Sequence, residues 1–460
     1  LLLVTIGVAQ LLLALVFIPS LGPNDNKLAA QGYPLPFQTH FTVGGVVLGG
    51  QYVLVLMVVP AIVAALAAFL RYTTLGRMIR AVASNQEAAR LAGVSVRRVS
   101  MVTWGLAGAL AAVTAVLQAP SQASFDAAAL GPALLLRALG AAALGGFVSI
   151  PAALVGGLGI GLAEQIALHI TNNGGDAELV VFVVILGIIL VRGRAISAAV
   201  SADGAVVDDR PPVRVPALVA QRAFVRHHRA LLALGGAFVG VIFPLLPYFR
   251  PEGRRFELAL VLIYAIVGVA LTMLVGWGGQ VSLGHFAVVG AGAYLTARLA
   301  PHGWSLPILF LFTGLVGALM MVVIGLPALR VPGLTLAVTT VGLAVVAPDW
   351  LFRQSWFGST QPSGVEVTPP GLLSGLWHPS SQLAIYYTAL VVLAVVLVAA
   401  RSLRRSPPGR MVVAVRDNES AASAFGVSPA TVKLAMLATS GFVAALAGVL
   451  WADSLSRTAT

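Results

Sequence analysis

Long apolar stretches constrain this chain more than any other feature of its sequence. A helix needs about 20 mostly apolar residues to cross the hydrocarbon core of a bilayer, and thirteen stretches approach that length. Charged residues make up only 10% of the chain, against about 25% in a typical soluble domain, so they are too few to cover a surface that faces water. The pattern predicts an all-α polytopic membrane protein whose solvent is a lipid bilayer. The stretches lie at 1–17, 50–70, 98–118, 132–148, 150–168, 178–192, 230–248, 257–275, 283–300, 305–326, 333–350, 382–401 and 434–452.

The basic residues gather in a few of the predicted loops. If residue 1 is cytoplasmic, the arginine-rich loops 71–97 and 402–433 and the polar segment 193–229 are cytoplasmic too, in agreement with the positive-inside rule. This clustering accounts for the formal charge of +12 without a nucleic-acid partner, because no basic stripe is interleaved with aromatic residues. The basic loop FRPEGRRF at 249–256 falls on the opposite side and does not follow the rule.

One polar stretch occurs twice in the chain. Residues 76–95 read GRMIRAVASNQEAARLAGVS and residues 409–428 read GRMVVAVRDNESAASAFGVS, identical at 11 of 20 positions with an offset of 333. Each copy lies between a span that ends on the cytoplasmic side and one that returns, and the match continues into the next span, where Gly108 aligns with Gly441. Copies that face the same side predict two homologous multi-helix transmembrane domains in parallel repeat. The expected division is a first domain at 1–195, a cytoplasmic linker at 196–229 and a second domain at 230–460.

The repeated stretch carries the signals of a short helix. Ser84 followed by Glu87 is a capping-box pattern, Asp417 is a good N-cap residue in the second copy, and a glycine follows about two turns later, as at many helix ends. A loop kept only by descent and a docking helix for a twofold cytoplasmic partner are the alternatives, and the joint retention of cap, small residues and glycine favours docking. The two arginines after the first glycines are equally well explained as topology signals. The candidate docking residues are Gly76, Arg77, Ser84, Glu87, Ala88, Ala89 and Gly93, and Gly409, Arg410, Asp417, Asn418, Ala421, Ala422 and Gly426.

A second candidate site is the glycine-rich stretch GWGGQVSLGHFAVVGAGAY at 276–294. Non-helical backbone at membrane depth is tolerated where it lines a cavity or is buried in protein, so this stretch suits a re-entrant element near a substrate path. Tight helix packing through glycine explains it equally well. The residues concerned are Gly279, Gln280, Ser282, Gly284 and His285.

These motifs together resemble the permeases of the branched-chain amino-acid class of ABC importers. The pattern G-R-M-x-x-A-V-x-x-N, followed by A-A and G-V-S, is similar to the cytoplasmic coupling loop of that family, and 276–294 resembles its membrane signature. The segment ALGAAALGGFVSIPAALVGGLGIGLAEQ at 138–165, with Gly145 and Gly146, resembles its glycine-rich late helices and adds two residues to the possible substrate path. Residues 1–195 look like most of one permease without its early portion, and 230–460 like a second without its end. The resemblance predicts two fused permease subunits, trimmed at both ends.

The resemblance implies a division of labour with other subunits. Residues 84–93 and 417–426 would dock into clefts on two cytoplasmic ATPase subunits, and an extracytoplasmic binding protein would deliver the substrate. The chain has no G-x-x-x-x-G-K-[ST] phosphate loop, so ATP and magnesium are expected in the partner subunits and no cofactor in this chain. With no cysteine and no cluster of metal ligands or catalytic groups, neither a metal site nor enzymatic chemistry is predicted.

Other functions fit parts of the same sequence. Within the superfamily, the alternative is a permease for urea, short amides or another small solute. From a different class, the alternative is an ion-coupled transporter or channel that works alone, although such a protein needs buried charged relays, which are scarce here. A non-transporting membrane scaffold is the third. The favoured prediction is a multi-pass permease of the cytoplasmic membrane of a prokaryote, importing branched-chain or related hydrophobic amino acids.

Overall fold

The computed structural model of the chain describes residues 8, 11–12, 14, 41–43, 46–118, 131–146, 149–200, 235–236, 240–249, 251–329, 335–357 and 382–456. Nine helices within these ranges are long and apolar enough to cross a membrane, which confirms the all-α polytopic class. Two predicted spans, 132–148 and 283–300, form helices of only 13 and 15 residues. A glycine turn ends the first helix, and a non-helical segment precedes the second, which begins at residue 285. The predicted span 1–17 lies largely outside the described residues. In the predicted span 230–248, the described residues 235–236 and 240–248 include 3-10 turns at Phe243–Leu245 and Pro247–Phe249, so they do not form the continuous helix that was expected.

The first part of the chain contains a short hairpin followed by seven helices. Strands β1 (Phe41–Val43) and β2 (Val46–Leu48) pair antiparallel, a feature that the sequence does not predict. The helices are α1 (Gly50–Tyr72), α2 (Thr74–Ser84), α3 (Gln86–Leu91), α4 (Val96–Gln118), α5 (Pro132–Leu144), α6 (Ile150–Thr171) and α7 (Gly174–Val200).

In the second part, the described residues form eight helices and several short turns. Its first helix, α8, continues without interruption into one π-helical turn at Thr272–Trp277. The helices are α8 (Glu252–Leu271), α9 (His285–Leu299), α10 (Leu306–Leu329), α11 (Thr335–Asp349), α12 (Gln382–Arg405), α13 (Pro407–Asp417), α14 (Glu419–Ala424) and α15 (Pro429–Ser456). Turns of 3-10 helix lie at Phe243–Leu245, Pro247–Phe249, Ala300–His302 and Leu351–Arg353.

The residues group into two compact units. The first comprises Leu1–Gly159 with Ala198–Gly204, and the second comprises Ile160–Ser197 with Ala205–Thr460, as far as these ranges are described. The division falls inside α6, and α7 continues to Val200, into the segment expected to be the linker. Residues 201–229 of that segment lie outside the described residues, so the division at 1–195, 196–229 and 230–460 stays a prediction.

Helix α15 is the centre of the second unit and packs against α8, α9 and α10. Glycines let the backbones approach closely: a Cβ atom on Gly441 would lie 2.5 Å from the carbonyl oxygen of Gly317, and one on Gly292 would lie 2.5 Å from that of Ala445. Small residues at helix contacts are the usual means of association in lipid, where burial of apolar surface gives little advantage. The fully buried side chains of Ile263 and Leu437 belong to the same core.

In the 249–256 segment, Arg254 and Arg255 lie at the end of α8 opposite to α13. Glu252 accepts a hydrogen bond from the backbone amide of Gln382, the first residue of α12, whereas the other end of α8 contacts the last turn of α12. Both described arginines have a local partner: Arg254 lies 3.6 Å from the ring centroid of Tyr248, and Arg255 pairs with Glu252 at 3.0 Å. The segment therefore lies on the side opposite to α13, where the positive-inside rule does not expect arginines. Short-range contacts hold the two guanidinium groups there.

Candidate functional site

The two copies of the repeated stretch have the same backbone construction. Helices α2 and α3 begin and end at residues 74, 84, 86 and 91, and α13 and α14 begin and end at the positions shifted by 333. The following long helices, α4 and α15, begin at Val96 and Pro429 with the same offset. The sequence repeat is therefore also a structural repeat, and the two segments 73–95 and 406–428 are named the first and second loops.

The short helices of the loops are capped by asparagine. The side-chain oxygen of Asn85 accepts from the amide of Ala88 at 2.9 Å, and that of Asn418 accepts from the amide of Ala421 at 2.9 Å. The predicted capping residues Ser84 and Asp417 are wrong by one position, because the preceding helices continue through them. Both asparagines are extended, with φ of −156° and −155°, as N-cap residues usually are.

A sharp return separates each loop from the long helix before it. The hydroxyl groups of Thr73 and Ser406 accept hydrogen bonds from the amides of Gly76 and Gly409, and both glycines are buried. A Cβ atom on Gly76 would overlap the carbonyl oxygen of Phe69, and one on Gly409 would overlap that of Leu403 in the preceding helix. These two candidate residues therefore have a structural role, since they set the angle at which the loop leaves the span.

The glycines at the far ends of the loops close the short helices, as the sequence predicts. Gly93 and Gly426 have φ of +79° and +81°, in the left-handed region that glycine adopts at low cost. The amide of Val94 donates to the carbonyl of Ala89 at 2.9 Å, and the aligned bond in the second loop measures 3.1 Å. This bond five residues back along the chain is characteristic of a Schellman motif.

The tips of the loops expose one large apolar side chain each. Leu91, the last residue of α3, is 90% exposed, and Phe425, which follows α14, is 89% exposed. The predicted residues Ala88 and Ala421 are also exposed, whereas Ala89 and Ala422 are buried against their own loop. The sequence reasoning missed the two large side chains; the signal that could have found them is the single bulky apolar residue in each of the segments 86–92 and 419–425.

The loops differ in charge although they share a shape. The first loop exposes Arg77, Arg80 and Arg90 with Glu87 as its one acidic residue. The second exposes Arg410 and Arg416 together with two acidic residues that are paired within the same chain. Asp417 lies 2.7 Å from Arg416, and Glu419 lies 2.7 Å from Lys433. The two loops therefore share their backbone construction and differ in their electrostatics.

The stretch at 276–294 contains a helix that breaks and restarts. The π-helical turn ends at Trp277, and seven residues without helical structure precede His285, the first residue of α9. Gly279 has φ of +66° and is exposed, Gln280 is partly buried, and Ser282, Gly284 and His285 are buried. The segment 272–284 is called the helix break below.

Buried polar contacts fasten the helix break to neighbouring helices. The ring of His285 places Nδ1 3.0 Å from the hydroxyl oxygen of Ser282 and Nε2 2.5 Å from that of Ser440 in α15. Because the Ser440 hydroxyl donates its one hydrogen to the carbonyl of Ala270 at 3.1 Å, Nε2 carries the ring hydrogen and Nδ1 accepts. A Cβ atom on Gly284 would lie 2.5 Å from the carbonyl oxygen of Thr340. Ser282, Gly284 and His285 thus take part in helix packing; a role for them in a substrate path stays a prediction.

The helix break also touches the second loop. Arg416, in the last turn of α13, donates a hydrogen bond from Nη1 to the carbonyl oxygen of Gly276 at 2.9 Å. A Cβ atom on Gly279 would lie 2.7 Å from Cγ of the same arginine. The two sites that the sequence singled out separately, the loop and the glycine-rich stretch, are therefore adjacent in the second unit.

Gly145 and Gly146 form the turn between α5 and α6. A Cβ atom on Gly145 would lie 2.7 Å from the carbonyl oxygen of Ser149, and Gly146 has φ of +64°. Both glycines are needed for this tight turn on backbone grounds alone. Their contribution to a substrate path stays a prediction.

The second unit contains an apolar cavity of about 450 Å³ next to the helix break. Its walls come from four helical segments, with Thr439 as its hydroxyl-bearing residue, and they include Met273, Ala318, Val396, Ala399 and Phe442. Within the described ranges, no group of three or more histidine, aspartate or glutamate side chains is arranged to hold a metal ion. The cavity offers an aliphatic group a complementary surface.

A family model described as "Branched-chain amino acid transport system / permease component" matches residues 1–191 and 256–458. The chain is 29% identical over 233 residues to the high-affinity branched-chain amino acid transport system permease protein LivM of Escherichia coli (strain K12). The alignment covers 45% of this chain and 54% of the relative. It is 38% identical over 103 residues to the permease protein LivH of the same system and strain, covering 22% of this chain and 33% of the relative.

A relative with a different printed substrate is also similar. The chain is 32% identical over 228 residues to the autoinducer 2 import system permease protein LsrC of Enterobacter sp. (strain 638), covering 49% of this chain and 62% of the relative. The chain thus spans about half the length of the curated relatives that it matches over more than 200 residues. No solved structure matches it significantly.

Proposed function

Because the chain belongs to the branched-chain amino acid transport system permease family, we propose that it is the membrane pathway of an ATP-driven importer for branched-chain or related hydrophobic amino acids. It is a multi-pass membrane protein, and its place is the cytoplasmic membrane of a prokaryote. The observation that carries the proposal is the pair of loops with identical backbone construction, each of which exposes one large apolar side chain at its tip.

The loops have the properties of docking elements for two ATPase subunits. A rigid short helix, capped by asparagine and closed by glycine, loses little conformational entropy on binding. An exposed aromatic or large aliphatic side chain is the usual anchor of a binding hot spot, so Leu91 and Phe425 would each fill a cleft on one ATPase. The exposed alanines Ala88 and Ala421 would let the backbone of the partner approach closely.

The chemistry of ATP belongs to the partners in this proposal. The sequence contains no phosphate-binding loop motif, so ATP and magnesium would be bound and hydrolysed by the cytoplasmic subunits, and this chain would catalyse no reaction. Closure of the ATPases would draw the two loops together and change the side to which the pathway opens. An extracytoplasmic solute-binding protein would deliver the substrate.

The substrate class rests on the names of relatives and on the cavity. LivM and LivH are named for branched-chain amino acid transport, and the cavity beside Met273 is apolar and large enough for an aliphatic side chain. The similarity to LsrC favours, as the second candidate, a permease of the same mechanism for another small solute.

The test is the retention of an ATPase by the full-length protein, extracted gently from its own membrane. Leu91→Ala combined with Phe425→Ala removes both anchors and leaves the caps intact. Truncating one hot-spot anchor typically costs about 2 kcal/mol or more, roughly a thirtyfold loss of affinity, so the ATPase should be lost from the double variant. Trp356→Ala, which truncates an aromatic residue 59% exposed outside the loops, is the matched control and should retain it.

Two results would contradict the proposal. If no ATPase copurifies with the unaltered protein, a transporter or channel that works alone becomes the better explanation. If the ATPase stays bound to the double variant, the loops are not the docking elements.

A further inference from the structure

Arg416 caps the end of the broken helix. The carbonyl groups in the last turn of a helix lack partners within the helix and carry a partial negative charge. The Nη1 atom of Arg416 donates to one of them, the carbonyl oxygen of Gly276, at 2.9 Å. A second cation lies at the same end, since the guanidinium of Arg404 is 5.3 Å from the ring centroid of Trp277. The last turn of this helix is therefore contacted by Arg416 of the second loop and by Arg404 of the helix that precedes the loop.

The backbone of the helix break makes room for the arginine. Gly279 adopts a left-handed φ of +66°, and a Cβ atom at this position would lie 2.7 Å from Cγ of Arg416. Any other residue would therefore face both an unfavourable backbone conformation and a collision with the stem of the arginine. Glycine at this position therefore meets two requirements, the left-handed backbone of the turn and the space that the side chain of Arg416 needs.

Asp417 fixes the direction of the guanidinium. Its Oδ1 atom accepts from Nε of Arg416 at 2.9 Å and from Nη2 at 2.7 Å. The side chains of this pair are 40% and 56% exposed, and exposed ion pairs contribute little to stability. Their effect is geometric, because Asp417 holds two guanidinium nitrogens while the third engages Gly276.

We propose that Arg416 is the positioning residue that transmits movement of the second loop to the helix break. The inference rests on the proposed function, since the movement originates in a docked ATPase. Helix α14 begins at Glu419, three residues after Arg416, and α13 is a continuous helix, so displacement of α14 moves the arginine with it. Single π-helical turns are often found at functional sites, and a displaced Gly276 carbonyl changes the path of residues 278–284.

The effect extends from the helix break into the core of the unit. His285, which follows the break directly, is hydrogen-bonded to Ser282 within the break and to Ser440 in α15. The cavity beside Met273 borders the same turn.

The first loop has no equivalent arginine, because Ala83 occupies the aligned position. Transmission by this route is therefore specific to the second loop.

The absence of cysteine from the chain makes a direct test possible. Gln280→Cys places a single thiol in the helix break, and its rate of labelling by a maleimide reports the accessibility of that segment. The complex with its copurified ATPase is labelled with and without ATP and vanadate, and ATP hydrolysis is measured on the same samples. The added substitutions are Arg416→Ala, Arg416→Lys and, as a matched control, Arg405→Ala at an exposed arginine in the last turn of α12.

The expected result separates transmission from folding and from docking. Arg416→Ala should retain the ATPase and its hydrolysis within about twofold, while the ATP-dependent change in labelling rate falls by roughly tenfold, the factor that one hydrogen bond to a charged group represents. Arg416→Lys, which keeps a cation near the carbonyl, should restore part of the change, and Arg405→Ala should leave it intact.

Each contrary result has its own meaning. If no ATPase copurifies with either the unaltered protein or the Gln280→Cys protein, the proposed function is contradicted. A retained ATPase with no ATP-dependent change in labelling, or with a change that persists fully in Arg416→Ala, overturns the role of Arg416 and leaves the proposed function standing. Equal loss of hydrolysis and labelling change in Arg416→Ala also overturns it, since that pattern indicates a structural role.

Discussion

The imidazole Nε2 of His285 lies 2.5 Å from the hydroxyl oxygen of Ser440, a residue 155 positions further along the chain. The contact joins the restart of a broken helix to the helix that follows the second loop. Both side chains are almost fully buried, where an unpaired polar group is costly. The hydrogen bond is thus one of the few polar contacts that hold the core of the second unit in register.

Removal of either partner should reveal an energetic coupling between them. In a double-mutant cycle of His285→Ala and Ser440→Ala, we expect a coupling of about 1 kcal/mol in the free energy of unfolding in detergent, the range found for buried hydrogen bonds between membrane helices. The exposed pair Ser428 and Thr431, 3.1 Å apart, is the control and should show coupling near zero. Additive effects of the two buried substitutions would contradict the contact.

The asparagine caps predict a local effect on the short helices. Asn85→Ala and Asn418→Ala should each destabilise the helix that follows by about 1 kcal/mol, because the amides of Ala88 and Ala421 lose their acceptor. Hydrogen–deuterium exchange of α3 and α14 measures this as roughly fivefold faster exchange. Ser84→Ala is the control, since Ser84 ends the preceding helix. A larger effect of Ser84→Ala than of Asn85→Ala would restore the capping box as the better interpretation.

The two glycines of the second loop should respond differently to alanine. At Gly426, where a Cβ atom would meet no other atom within 4 Å, alanine should cost only the left-handed conformation, about 1 to 2 kcal/mol. At Gly409 the Cβ atom would overlap the carbonyl oxygen of Leu403 and lie 2.8 Å from Cα of Arg404, so the return of the loop must open. Exchange rates of amides in α13 should therefore rise in Gly409→Ala and stay unchanged in Gly426→Ala.

The aligned glycines Gly108 and Gly441 should give effects of opposite sign. Gly441→Ala introduces a Cβ atom 2.5 Å from the carbonyl oxygen of Gly317 and 2.6 Å from Cγ of Met321, and overpacking of this kind costs about 1 to 3 kcal/mol. At Gly108 a Cβ atom meets no other atom within 4 Å, so alanine should stabilise the helix by roughly 0.5 to 1 kcal/mol. Unfolding in detergent measures both changes. A similar loss at the two positions would show that Gly108 is also in close contact.

Local features of the loops could be predicted from the sequence because they depend on neighbouring residues. The turn at Gly93 and Gly426 follows from a glycine after a short run of helix-forming residues. The cap was misplaced by one residue, since serine, aspartate and asparagine are all good N-caps and the sequence does not say where the preceding helix stops. The asparagine, identical in both copies, was the better choice.

Contacts between distant parts of the chain could not be predicted in this way. Arg416 and Gly276 are 140 residues apart, and periodicity carries no information about such a pairing. The packing role of Ser282 and His285 depends in the same way on the position of α15. The exposure of Leu91 and Phe425 could not be predicted for another reason. In a chain with 58% hydrophobic residues, the sequence alone does not distinguish an exposed apolar residue from a buried one.

The helix boundaries of the two loops differ by a constant offset of 333, so the loops can be exchanged for one another. Both ends of each loop meet a long helix at equivalent residues, so residues 73–95 and 406–428 are grafts of equal length with matching junctions. Exchange of the two would swap one surface for another without an insertion or deletion in either flanking helix. Any difference between the two docking events must then depend on side chains such as Leu91 and Phe425, and chimaeric proteins can assign it loop by loop.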